Sequence, residues 1–115
     1  MSYKQGDIVI VPFPFTDLTS SKVRPAIVVS NDLVNKSNDI ILAQITKQHL
    51  SGSLALKITN SDVNIPFKSG LSKMYISCKK IAVIEKSLIH KKITTLNELK
   101  TNETLIKIKS IFDKE

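Results

Sequence analysis

The chain has 115 residues, 42% of them hydrophobic, and its 17 lysines and arginines against 10 acids give a formal net charge of +7 at pH 7. This length suits a single domain, residues 1–115, and the hydrophobic content excludes a disordered or collagen-like chain. Cys78 stands alone, which excludes an intramolecular disulfide, and no apolar run is long enough to span a bilayer. We therefore expect a soluble, cytoplasmic protein with no signal peptide and no membrane partner. The positive charge favours a polyanionic partner such as nucleic acid, although a lysine-rich surface can also serve solubility alone.

The first third of the chain predicts two buried strands joined by a loop. Ile8–Val11 is a short β-branched run, which is typical of a strand. Residues 12–22, PFPFTDLTSSK, contain two prolines and several turn-forming side chains, and they predict a loop. Val23–Val29 predicts the second strand, with Pro25 near its start, where a missing backbone donor is tolerated. Asn31-Asp32 then predicts a turn.

Three further strands follow. Ile40–Thr46 is a second long apolar run, and Leu54–Ile58 alternates apolar and polar residues with the period of a half-exposed strand. Met74–Ile84 predicts the fifth strand, interrupted in polarity by Ser77–Lys80. Short strands separated by turn signals predict a small antiparallel barrel.

The C-terminal segment changes to helical periodicity. Thr95-Leu96-Asn97-Glu98 has the S/T-x-x-E form of a capping box, so a helix is predicted to begin there, with a weak joint at Thr101-Asn102. The apolar residues that recur at helical spacing are Leu99, Leu105, Ile106, Ile108, Ile111 and Phe112. The predicted fold class is therefore mainly β with α, a barrel on which one helix packs.

Most catalytic motifs are missing from the sequence. It contains no phosphate-binding P-loop, dinucleotide fingerprint, G-x-S-x-G elbow or H-E-x-x-H helix, which argues against nucleotide hydrolysis and zinc proteolysis. His49 and His90 lie far apart in lysine-rich contexts, and we expect them to be exposed unless the fold brings them together. Cys78 has no second thiol or histidine at zinc spacing, so it is predicted to be a small buried residue. We expect neither a cofactor nor a metal ion.

Arg24 is the only arginine in the chain and precedes the apolar run of the second strand. Its planar guanidinium can bind a phosphate through two hydrogen bonds at once, whereas a lysine ammonium acts as a point charge. The alternative is structural, with Arg24 pairing with Asp17 or Asp32 to fix the loop. Residue type alone leaves both interpretations open.

The ordered set GDIVIVPFPFTDLTSSKVRPAIVVSND and DIILAQITKQ resembles the MazF/PemK family of toxin ribonucleases from type II toxin–antitoxin modules. The resemblance runs from Gly6 through at least Ile84. It implies a CcdB/PemK-type fold, an SH3-like antiparallel barrel with a C-terminal helix that usually forms a homodimer. It also implies metal-independent, sequence-selective cleavage of single-stranded RNA, and neutralisation by a cognate antitoxin protein.

The resemblance also assigns site residues. The family's essential arginine and threonine fall on Arg24 and Thr46, where the threonine would orient the attacking 2′-hydroxyl or donate to a phosphate oxygen. Without the resemblance, Thr46 is an ordinary β-branched strand-end residue. The loops before Arg24 and after Thr46 are expected to bind RNA through Ser20, Ser21, Lys22, Lys47 and Gln48.

Two alternatives remain at this stage. The same fold is used by CcdB-like toxins that poison DNA gyrase by contact alone, and a barrel that binds RNA without cutting it would also inhibit growth. Related sequences often carry an arginine where this chain has Ser77, and their first loop is glycine-rich where this chain has residues 19–22. The presence of both Arg24 and Thr46 favours the ribonuclease, because a toxin that acts only by binding a protein does not need a phosphate-binding guanidinium beside a hydroxyl.

Overall fold

The computed structural model describes residues 2–12, 23–68 and 73–115. One six-stranded antiparallel sheet is curled into a half-barrel, with the strand order β4-β5-β3-β2-β1-β6. The strands are β1 (Asp7–Val11), β2 (Arg24–Val28), β3 (Asp39–Thr46), β4 (Ala55–Thr59), β5 (Lys73–Glu85) and β6 (Lys91–Thr95). A short helix α1 (Asp32–Asn35), a C-terminal helix α2 (Glu98–Ser110) and two 3₁₀ turns, Asn60–Asp62 and Lys86–Leu88, complete the described chain. The predicted fold class is confirmed.

The sheet buries side chains on both faces because successive residues of a strand point to opposite sides. One cluster combines strand residues with two side chains of the C-terminal part, and its members include Ile8, Ile27, Ile45, Ile76, Leu96 and Ile108. The other cluster includes Tyr3, Val9, Val11, Val28, Leu42 and Ile84. This explains why β1, β2 and β3 are continuous apolar runs rather than alternating ones.

The fifth strand is continuous, and the polar interruption predicted within it marks a bulge. The pairing of β3 with β5 shifts between Ala43, which faces Ile81, and Gln44, which faces Ser77. Residues 78–80 therefore have no counterpart in β3. Cys78 is nevertheless buried, as predicted, and its backbone N–H donates to Leu54 O at 2.9 Å.

The N-terminus of the C-terminal helix was predicted too early. Thr95 belongs to β6, and its hydroxyl donates to Asp7 Oδ1 at 3.3 Å instead of capping the helix. Asn97 is the N-cap, with Oδ1 accepting from the backbone N–H of Lys100 at 2.8 Å. The weak joint predicted at Thr101-Asn102 is also wrong, since α2 runs through it and buries Thr101.

The predicted turn after β2 is a capped helical turn. Asn31 accepts a hydrogen bond from Leu33 N at 3.0 Å, and α1 follows directly. The sixth strand was not predicted at all, because only one of its residues, KKITT, is apolar. Both of its lysines are exposed, as is usual at a sheet edge.

Residues 62–68, here called the closing segment, join the region after β4 to β6. Val63 forms an isolated antiparallel bridge with Leu96, and Asn64 N donates to Thr95 O at 2.9 Å. Ile65 N donates to Thr94 Oγ1 at 2.8 Å. These contacts draw the two outer strands of the sheet toward each other and close one side of the half-barrel.

Helix α2 packs on the sheet through Thr101, Thr104 and Ile108. Its opposite side leaves Leu99 and Ile106 exposed, and Phe112 beyond its end is exposed as well. In the described residues, no helix has the length and apolar character needed to cross a membrane.

Candidate active site

A groove of about 610 Å³ opens where β2 begins and β3 ends. Its buried lining side chains are the apolar Ile45, Phe67 and Met74 together with Thr94. Its exposed lining side chains include the lysines at positions 47, 68, 91 and 92. An apolar floor with a cationic rim suits a ligand that combines flat apolar rings with negative charge.

Arg24 and Thr46 both line this groove, although they are far apart in sequence. The pairing of β2 with β3 ends at Ala26 opposite Gln44, and Arg24 and Thr46 lie two residues beyond that pair on their respective strands. The fold thus brings the start of β2 and the end of β3 to the same groove, with a guanidinium and a hydroxyl in its lining.

The Arg24 guanidinium has no carboxylate partner within the residues that the structure describes. Its Nε is buried and has no hydrogen-bond acceptor there. The ion pairs seen among these residues join Lys92 to Asp7 at 3.2 Å and Lys100 to Glu103 at 3.8 Å. Pairing of Arg24 with Asp32 is therefore not observed, while Asp17 lies outside the described residues.

Thr46 ends β3 with its hydroxyl oriented by the following turn. The backbone N–H of Gln48 donates to Thr46 Oγ1 at 3.1 Å. A hydroxyl has one proton and two lone pairs, so this contact uses one lone pair and leaves the proton and the second lone pair for a ligand. Thr46 can therefore still donate a hydrogen bond to a ligand in the groove.

The residues expected to bind RNA are only partly described. Lys47 is exposed and lines the groove, and Gln48 is exposed beside it but is not part of the described lining. Ser20, Ser21 and Lys22 lie outside the described residues.

Sequence reasoning missed the lysines contributed by β6 and by the closing segment. Lys91 and Lys92 come from β6, and Lys68 comes from the end of the closing segment. Asp7, only 3% exposed, pairs with Lys92 and accepts from Lys4 N at 2.9 Å. Lys68 and Lys91 have no such ion pair within the described residues, so their charge is available to the groove. A prediction of β6 could have found Lys91 and Lys92 from the sequence, whereas Lys68 had no such signal.

The two histidines are exposed, as expected, and the strand order separates them. His49 follows β3 and His90 precedes β6, with β2 and β1 between those strands. His49 is not a free surface side chain, however, because its Nδ1 lies 3.0 Å from the Tyr75 hydroxyl. No three potential metal ligands cluster together in the ranges 2–12, 23–68 and 73–115.

Comparison with known proteins assigns the chain to a family. Residues 4–112 match the model of the PemK-like, MazF-like toxins of type II toxin–antitoxin systems. No match was found among curated protein sequences.

Solved structures share the fold at low sequence identity. A mycobacterial endoribonuclease in complex with its cognate antitoxin has a TM-score of 0.76 and 15% identity, covering 96% of this chain and 95% of that one. MazF from Deinococcus radiodurans has a TM-score of 0.74 and 15% identity, covering 97% of each chain. The Mycobacterium tuberculosis toxin MazF-mt6 has a TM-score of 0.71 and 15% identity, covering 95% of this chain and 98% of that one. With the family match spanning nearly its whole length, the chain belongs to the PemK-like, MazF-like toxins of type II toxin–antitoxin systems.

Proposed function

We propose that this toxin is an endoribonuclease that cleaves single-stranded RNA at a short sequence, without a metal ion, in the groove between β2, β3 and the closing segment. The observation that carries the proposal is that Arg24 and Thr46 line one groove whose exposed rim is rich in lysine. The structural similarity to proteins described as endoribonucleases supports the same activity.

The reaction requires stabilisation of charge at phosphorus. The 2′-hydroxyl attacks the adjacent phosphate in line, negative charge collects on the equatorial oxygens, and the 5′-oxygen leaves. A guanidinium placed before the reaction begins stabilises that charge more than it stabilises the ground state. Arg24 takes this role in the proposal. Its five N–H donors and fixed charge make it unsuitable as a base.

Thr46 is assigned to a phosphate oxygen rather than to the 2′-hydroxyl. The hydrogen bond from Gln48 N already fills one lone pair of Thr46 Oγ1, which favours the hydroxyl as a donor. Lys47 and Gln48 would contact the RNA beyond the scissile phosphate, together with Ser20, Ser21 and Lys22, which precede Arg24 in the sequence.

The partners follow from the family and the activity. We propose that a cognate antitoxin neutralises the toxin, as supported by the similar endoribonuclease that was solved with its own antitoxin. A homodimer is the proposed assembly, and the cytoplasm, where RNA and antitoxin meet, is the proposed location.

The test is incubation of the purified protein with mixed-sequence single-stranded RNA in EDTA, beside Arg24→Lys and Arg24→Ala. The native protein should cut at a short motif and leave 2′,3′-cyclic phosphate ends. Both variants should lose on the order of a hundredfold in rate, because a lysine cannot reproduce the two-pronged contact. Thr46→Val should be slow and Thr46→Ser nearly native.

Lys109→Gln is the matched control, since this exposed lysine lies on α2 and does not line the described groove. Cleavage that survives Arg24→Ala would disprove the assignment of that residue. A native protein that binds RNA in a salt-dependent way but never cuts it would instead indicate a non-catalytic growth inhibitor.

A further inference from the structure

The proposed reaction needs a group that accepts the proton of the 2′-hydroxyl, and the described groove lining does not supply one. Its polar side chains belong to Arg24, to threonines and to lysines, and it includes no carboxylate or imidazole. Guanidinium and ammonium groups carry no lone pair near neutral pH, and a threonine hydroxyl is a very weak base. Among the residues that the structure describes, the base must therefore be sought beside the groove lining rather than in it.

The residue that faces Thr46 across the sheet is Tyr75. In the pairing of β3 with β5, Thr46 lies directly opposite Tyr75, so the two side chains share a face with Cβ atoms about 5 Å apart. Tyr75 is 7% exposed, which fixes its ring within the packed sheet. Thr46 thus shares the groove lining with Arg24 and lies opposite Tyr75 on β5.

Tyr75 contacts the side chain of His49, which lies three residues after Thr46. His49 Nδ1 lies 3.0 Å from Tyr75 Oη, and the two rings meet edge to face with centroids 5.1 Å apart and planes inclined by 76°. These two contacts anchor an imidazole that would otherwise be mobile on an exposed loop. They use Nδ1 and leave Nε2 without a partner among the side chains that the structure describes.

We propose, on the basis of the proposed ribonuclease function, that His49 is the general base that accepts the 2′-hydroxyl proton and that Tyr75 is its positioning residue. With its proton on Nδ1 donated to Tyr75 Oη, the neutral imidazole presents a lone pair on Nε2. As the bond between O2′ and phosphorus forms, the 2′-hydroxyl proton passes to Nε2. The bond between phosphorus and O5′ breaks, O5′ takes a proton from water, and His49 returns its proton to solvent.

The charged groups around this pair come from three elements. Lys47 lies on the same loop as His49, and Lys57 on β4 is directly opposite Tyr75. Lys73 lies two residues before Tyr75 on β5 and therefore on the same face of the sheet. All three are cations that can bind the RNA backbone beside the imidazole without themselves acting as the base.

The first experiment compares native protein, His49→Gln and the matched control His90→Gln in single-turnover cleavage in EDTA between about pH 5 and pH 9. Native cleavage should rise with pH across this range and then level off, as expected when a general base must be unprotonated. His49→Gln should lose about a hundredfold near neutral pH and lose that rising limb. It should still bind an RNA with a 2′-deoxynucleotide at the cleavage position as the native protein does. His90→Gln should match native protein in both assays.

Two further variants separate a chemical role from a structural one. Exogenous imidazole should restore cleavage by His49→Ala and should have no effect on Arg24→Ala. Tyr75→Phe keeps the buried ring but removes the hydroxyl, so kcat should fall while KM stays near the native value.

Each outcome decides between the two proposals. Native cleavage with an unchanged rate or an unchanged pH profile in His49→Gln would overturn the role of His49 and leave the ribonuclease proposal intact. Failure of imidazole to rescue His49→Ala would also overturn that role. Failure of the native protein to cleave RNA would overturn the ribonuclease proposal itself.

Discussion

Cys78 is a fully buried thiol in the bulge of β5. Burial raises the pKa of the Cys78 thiol to about 11, because a thiolate would lose its hydration there. Lys107 lowers that pKa by a smaller amount and Glu103 raises it by a still smaller one. The folded protein therefore holds this proton more tightly than the unfolded chain does.

This shift predicts how stability depends on pH. Below about pH 9 the thiol is protonated in both states and its effect on the free energy of unfolding is constant. As the pH rises from 9 toward 11, the unfolded chain releases the proton first, so the native state should lose stability. Urea unfolding of the native protein and of Cys78→Ala at several alkaline pH values checks this. The two proteins have the same lysines, so the difference between their free energies of unfolding isolates the effect of the thiol. Parallel pH dependences in the two proteins would contradict it.

At the scale of single residues, sequence alone identified those with distinctive chemistry. Arg24 stood out as the only arginine, and the resemblance to a known family added Thr46. Both residues line one groove, and their catalytic roles stay predictions. The contact between His49 and Tyr75 could not be predicted, because it depends on the register of β3 with β5 and on the path of a loop.

At the scale of elements, the turn before β1 contacts α2 through a glycine. Gly6 has a φ of +98°, and a Cβ added there would lie 3.1 Å from Thr101 Oγ1. Its backbone also links two elements, since Gly6 N donates to Val28 O and Leu96 N donates to Gly6 O, both at 2.9 Å. Gly52 has a similar φ of +100°, but nothing lies within 4 Å of its added Cβ.

These two glycines form a matched pair for mutation. Gly52→Ala should cost about 1 kcal/mol, because an L side chain strains a positive φ. Gly6→Ala should cost about 1 kcal/mol or more beyond that, since it adds the collision with Thr101 in a tightly packed site. Unfolding in urea measures both free energies. Equal costs would show that α2 shifts to accommodate the methyl group.

Element boundaries were predictable where apolar residues dominate. The three apolar strands β1, β2 and β3 were found within a residue or so of their ends. β6 was missed because an exposed edge strand can be polar, and α2 was begun too early because Thr95 is used by that unpredicted strand. Thr95 therefore pairs with β1 as part of β6 instead of capping the helix, despite its local capping pattern.

At the scale of the whole molecule, the chain has a net charge of +7, and its groove is lined by Lys47, Lys68, Lys91 and Lys92. If RNA lies there, removing one lysine that contacts a phosphate should reduce the dependence of log affinity on log salt by about 0.7. Lys68→Gln and Lys91→Gln should each show this with a non-cleavable single strand, and Lys109→Gln should not. A similar reduction in Lys109→Gln would place the RNA elsewhere on the surface.

The overall fold was predictable from the sequence because many weak signals agreed on a barrel and one helix. The groove was not, since it is formed by pieces of chain that are distant in sequence: the ends of β2 and β3, β6 and the closing segment. Composition indicated the positive charge, but only the fold shows which lysines converge.

The closing segment has a thermodynamic consequence. Val63 and Asn64 pair with Leu96 and Thr95 at the end of β6. The next residues of the closing segment, Ile65–Lys68, form one wall of the groove. Local opening of that seam therefore removes the wall, and a nucleic acid that binds only the closed form must shift the opening equilibrium toward closure. The amides of Asn64 and Ile65 donate to Thr95 O and Thr94 Oγ1, and their hydrogen exchange should slow when non-cleavable RNA is bound. These two amides would therefore report occupancy of the groove from the opposite side of its wall.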